Sequence, residues 1–127
     1  MNVNQELDAF REGLPGCEVA ALVDLSTTMV LSTSVGARVP QEELDALAML
    51  AQDVLIGPMA EASLNTNSDD APEALEGLLA THSEARAFLR GGADRNEALV
   101  CVCGADADLS QVFATGRETL TSILASS

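Results

Sequence analysis

The chain contains no tryptophan, no tyrosine and no lysine. Three phenylalanines are its only aromatic residues among 127, so its interior has to be built from Leu, Val, Ala and Met. The same shortage removes the stacking platforms on which single-stranded nucleic-acid binders depend. Positive charge is equally scarce. Six arginines (Arg11, Arg38, Arg86, Arg90, Arg95 and Arg117) stand against 20 acidic residues, for a net charge of −14. A surface this negative repels phosphate backbones and anionic lipid, which argues against nucleic-acid and membrane partners. Long apolar runs are missing too: none approaches the roughly 18–20 residues of a membrane span. The first 14 residues are polar and amphipathic, unlike an export leader. Three cysteines then fit a reducing, cytoplasmic setting. Lysine-free composition rich in Ala, Arg and Gly is the usage expected of a GC-rich bacterial genome.

What is present is a well-patterned apolar sequence. Hydrophobic residues make up 47% of the chain, enough for a packed core in a single domain over residues 1–127. Val3, Leu7, Phe10 and Leu14 recur at helical spacing and predict a helix over 4–14, stopped by Pro15-Gly16. Residues 17–24 read as a strand, with Val19, Ala21 and Val23 on one face and Ala20 and Leu22 on the other. A turn at 25–27 and a β-branched strand over 28–34 complete a hairpin. Pro40 and the acidic residues Glu42, Glu43 and Asp45 open a long helix that Gly57-Pro58 should end or kink near residue 56, with a shorter helical piece to Leu64. Its apolar stripe (Leu44, Leu47, Ala48, Ala51, Val54, Leu55) is widened by Ala46, Met49, Leu50, Ile56 and Met59. A stripe that wide is either buried on two sides of its own domain or meets a partner.

Residues 65–72 are the most polar stretch and predict a loop. Residues 74–83 and 84–91 read as two strands, with helix competing for both. Ala98-Leu99-Val100-Cys101-Val102-Cys103-Gly104 is almost wholly apolar and predicts a strand buried on both faces. A periodic helix over 108–124 follows, opened by Asp108 and Gln111 as a capping box. The order αββαβββα predicts an α+β fold: a single five-stranded antiparallel sheet with helices on both faces.

That order resembles the roadblock family of the dynein light-chain type, whose fold is profilin-like. The likeness is carried by Leu14-Pro15-Gly16-Cys17-Glu18-Val19-Ala20-Ala21-Leu22-Val23-Asp24, by the Ala- and Leu-rich helix over 42–55, and by the last strand and closing helix. The first hairpin turn, Asp24-Leu25-Ser26-Thr27, lacks the glycine that the family often has there. The resemblance implies a non-enzymatic dimer, with itself or with another roadblock-like subunit, joined by central helices and edge strands. It also implies an adaptor or regulator that docks a small Ras-like GTPase or a larger complex. Leu44, Leu47, Met49, Leu50, Ile56 and Met59 are then the candidate interface. Arg86 and Arg90, four apart on a strand and near Arg95, are candidate partner contacts, although pairing with nearby acids is the simpler role. The alternative function is a small-molecule sensor of the same architecture, with a closed apolar pocket lined from Leu47, Val54 and Val102 between sheet and helix.

No group of residues reads as a reaction centre. Cys101 and Cys103 point to one face, and Cys17 should lie beside them. Three small apolar core residues is the simplest account; a thiol pair, a redox sensor or a metal site is the competing one. Zinc spacing with four ligands is missing. His82, between Thr81 and Ser83 and next to Glu84, fits an exposed turn, since the members of a catalytic triad converge from separate elements. Asp69-Asp70 and Asp106-x-Asp108 lack the spacing of a calcium loop. Gly91-Gly92 has no lysine after it and cannot be a P-loop. The sequence therefore assigns no catalytic residue, no cofactor and no metal.

Overall fold

The computed structural model describes residues 2–36, 39–56, 76–91 and 95–126. The elements run α1 (Val3–Glu12), β1 (Cys17–Asp24), β2 (Met29–Val35), α2 (Gln41–Leu55), β3 (Glu76–Ala80), β4 (Glu84–Arg90), β5 (Glu97–Gly104) and α3 (Leu109–Ser126). The strands form one antiparallel five-stranded sheet, as the element order predicts, and their spatial order is β2-β1-β5-β4-β3. Gly57-Pro58, Met59, the helical piece to Leu64, the loop over 65–72 and the first residues of the 74–83 strand lie outside the described residues.

Strand alternation divides the sheet into two faces. Ala20, Leu22, Leu99, Cys101 and Cys103 point to a core closed by Leu7 and Phe10 of α1 and by Val112, Leu120 and Ile123 of α3. Val19, Ala21, Val23, Phe88, Ala98, Val100 and Val102 point to a second core under Leu44, Leu47, Ala48, Ala51, Val54 and Leu55 of α2. Cys17 joins the first core despite its odd number, because the β1–β5 register shifts between Cys17 and Val19.

Local chemistry sets the boundaries. A complete capping box starts α1, Asn2 accepting from the Gln5 N–H while Gln5 accepts from the Asn2 N–H. The helix ends at Glu12, two residues earlier than its apolar stripe suggests: the Gly13 N–H still bonds Ala9 four residues back, but the Leu14 N–H bonds the Arg11 carbonyl only three back, which tightens the chain into a turn before Pro15. Leu14 is buried all the same. A polar seam fixes α1 to β2: Arg11 donates to Ser34 at 2.9 Å, Ser34 donates to Asp8, and Ser32 donates to Asn4 at 2.6 Å. At α3, Asp108 accepts from the Gln111 N–H at 3.2 Å, which is one half of the expected box.

The β1–β2 turn solves its missing glycine at some cost. Asp24 accepts from the Ser26 N–H at 2.9 Å and from its hydroxyl at 2.7 Å, and the chain then turns through Thr28 at φ 56°. A β-branched residue is strained in that left-handed region, which also delays the start of β2 to Met29. The Ser26 hydroxyl holds the Asp24 carboxyl below its ordinary value, against a smaller opposing effect of burial. With the folded value depressed, this contribution to stability is present at neutral pH and is lost as pH falls through the folded value.

Gly77 governs how closely α2 sits on the sheet edge. A Cβ at that position would stand 2.3 Å from Cγ1 of Val54. Gly77→Ala should therefore destabilise by about 1–3 kcal/mol, and Val54→Ala in the same chain should recover part of the loss, read from urea unfolding as a double-mutant cycle. Additive effects would show that the contact is relaxed elsewhere. Replacing Thr28 by Gly or Asn should raise stability by about 1 kcal/mol by relieving the turn. An unchanged thermal midpoint would mean that Thr28 carries no strain.

Candidate functional site

The outer side of α2 is where the candidate interface residues separate. Leu44 and Leu47 are buried against the sheet and serve the core, so neither offers free surface. The reason lies in helical period: both share a stripe with Ala48, Ala51 and Val54 that the sheet covers. Met49 and Ile56, two turns apart, are 60% and 37% exposed, and Leu50 is half-buried. Met59 lies outside the described residues. The sequence reading missed Leu78 on edge strand β3, which is 42% exposed. The signal available for it was an apolar residue on an edge strand.

The two candidate partner arginines have different fates. By register both share the α2 side of β4 with Phe88. Arg86 is held by Glu84 at 2.7 Å at the surface, a pair worth only about 0.2–1 kcal/mol. Arg90 is 9% exposed and donates from Nε to the Arg95 carbonyl at 2.7 Å, so it acts as framework for the chain that follows β4. Arg86 also lines an open cleft of about 310 Å³ with Leu47, Val102, Glu18 and Glu43. Leu47 and Val102 share this cleft, which is open and partly charged where the sensor reading expected a closed apolar pocket, and Val54 packs against Gly77.

Cys17 and Cys103 are directly opposite on β1 and β5, and Cys101 lies two residues along the same face, so the trio does come together. All three are free thiols buried in the core. Hydrogen bonding with Cys103 and Cys17, followed by burial, pushes Cys101 well above the ordinary thiol value. A protonated, enclosed thiol is a poor nucleophile. Among the described residues, no three His, Cys, Asp or Glu side chains form a group that could hold a metal ion. His82 is exposed in the β3–β4 turn, where Thr81 Oγ1 accepts from the Ser83 and Glu84 N–H groups at 3.3 and 3.2 Å. No described helix is long and apolar enough to cross a membrane.

Burial of the trio predicts slow chemistry. Alkylation of Cys101 and Cys103 by iodoacetamide in the native chain should be at least about a hundredfold slower than in guanidinium, and should follow opening of the fold. Rapid native labelling, read by mass spectrometry, would contradict a sealed thiol core.

Neither a family model nor a curated protein matches this sequence. Solved structures match it over nearly the whole chain. A Roadblock/LC7 domain from Streptomyces avermitilis aligns with a TM-score of 0.77 at 15% identity, over 98% of this chain and 97% of that one. The gliding protein MglB from Thermus thermophilus gives 0.75 at 20% identity, over 95% and 84%. MglC from Myxococcus xanthus gives 0.67 at 13% identity, covering both chains fully. At these identities the shared property is the backbone arrangement, and the chain has the roadblock/LC7 fold.

Proposed function

We propose that the chain is a single roadblock-type domain acting in the cytoplasm as a non-enzymatic adaptor or regulator. It pairs with a second copy or with another roadblock-like subunit, and the joint surface docks a small Ras-like GTPase or a larger complex. The observation that carries this reading is the pair of exposed apolar residues Met49 on α2 and Ile56 at its end, on a fold that matches MglB and MglC along its length. One of the MglB structures is described as a tetrameric arrangement, which supports an assembling role for the fold. Leu78 on edge strand β3 is a separate exposed apolar residue on the α3 side of the sheet, and an edge strand has backbone N–H and C=O groups ready to pair with another chain. The mechanism is binding: the assembled face favours one conformation of the docked partner over another.

Light scattering coupled to size exclusion should find a dimer at micromolar concentration. Met49→Glu or Ile56→Glu should raise its dissociation constant at least about tenfold while leaving the melting profile of the dissociated chain intact. A monomer at all accessible concentrations would remove self-association and leave pairing with another subunit as the remaining form. Affinity capture with a GTP analogue and with GDP in parallel should enrich a small GTPase in one of the two states. Equal recovery in both would argue for a scaffold instead of a nucleotide-sensitive regulator.

A further inference from the structure

We propose that the cleft between the end of β4 and the last turns of α3 binds a small aliphatic carboxylate. Its head group would meet Arg95 and Arg117, and its tail Leu89, Leu120 and Leu124. The first observation is a concentration of charge: Arg90, Arg95 and Arg117, half of the arginines in a chain of net charge −14, line this one cleft. Its volume of about 340 Å³ lies at the small end of the range for ligand sites, roughly 300–1,000 Å³.

The second observation is donor capacity. Arg117 gives Nε and Nη2 to the two carboxylate oxygens of Glu76, the latter at 2.7 Å, which leaves Nη1 outside that pair. Arg95 stands 3.7 Å from Glu97, beyond hydrogen-bond reach, and its side chain makes no hydrogen bond among the described residues. Arg90, through its bond to the Arg95 carbonyl, fixes the backbone from which Arg95 projects. Arg95 is thus held by Glu97 through a long ion pair only, and its planar fork matches a carboxylate in shape.

Charge selects the ligand class. Glu76 and Glu97 already stand on the two rim arginines, and the C-terminal carbonyls of α3 add partial negative charge. A single carboxylate can share the arginines with them, whereas the second charge of a phosphate monoester would face both glutamates. Leucine walls without an aromatic ring suit an aliphatic tail. Leu89 and Leu120 put the cleft's walls on the α1 and α3 side of the sheet, with Arg90 reaching its rim at the end of β4; Met49 and Ile56 do not line it, so it stands or falls independently of the proposed assembly.

Isothermal titration with octanoate tests the site, with octanol and octyl phosphate as comparison ligands. Octanoate should bind saturably with one site per chain, and both comparison ligands should bind at least about tenfold more weakly. Arg95→Gln should weaken octanoate by about tenfold, and Thr121→Trp, on the exposed lip of the cleft, should block it. Arg86→Gln, on the α2 side, should leave it unchanged. Absence of saturable binding at millimolar octanoate, equal affinity for octanol, tighter binding of octyl phosphate, or indifference to both Arg95→Gln and Thr121→Trp would overturn the proposal.

Discussion

The structure depends on β5 being paired on both edges and covered on both faces. It exchanges hydrogen bonds with β1 along one side and with β4 along the other, and residues 98–103 are all buried. Side-chain period then dictates the rest: Leu99, Cys101 and Cys103 go one way and Ala98, Val100 and Val102 the other. A slip of one residue would exchange these two sets and misfit both layers at once, so the register is tightly specified. The small volumes of Cys and Ala at the centre let α1 and α3 come down on one face. The branched Val residues meet the broader, Ala-rich face of α2 on the other.

From that division follows an asymmetry between the layers. One face has two helices, α1 and α3, which also pack against each other. Among the described residues the other has α2, drawn close at the edge where Gly77 leaves room for Val54. The outer flank of α2 carries Met49, with Ile56 at the helix end. Exposed apolar residues in such a position are a natural place for association.

The parts of the fold governed by period were legible in the sequence. The two faces of β1, the doubly buried β5 and the α3 stripe all follow from spacing alone. The wide stripe of α2 was legible as a surplus of apolar residues, but periodicity could not say that Leu44 and Leu47 belong to the core and Met49 to the outside. What escaped depends on contacts between distant residues or on single dihedral angles. The left-handed Thr28 leaves no pattern, because nothing in its neighbours forces that value. Gly77 looks like an ordinary turn or strand glycine until Val54, more than twenty residues earlier, is placed against it. The arginine cleft joins residues 90, 95 and 117 from three segments, and the sequence had paired Arg90 with Arg86 instead.

Charge and apolar surface are arranged so that each side of the sheet favours a different kind of encounter. The exposed flank of α2 carries Glu42, Glu43, Asp45 and Asp53 around Met49. Two copies meeting through that flank bring acid toward acid, so apolar burial has to outweigh repulsion that acts over about 8 Å at physiological ionic strength. Added salt would screen the repulsion and strengthen such pairing, while the same salt would weaken any contact with a basic partner. On the α3 side, Arg95 and Arg117, each beside a glutamate, concentrate positive groups that the rest of the surface lacks, and salt weakens their attraction for an anion. Self-association and anion binding on this fold therefore respond to ionic strength in opposite directions, because one works against the protein's field and the other works through a gap in it.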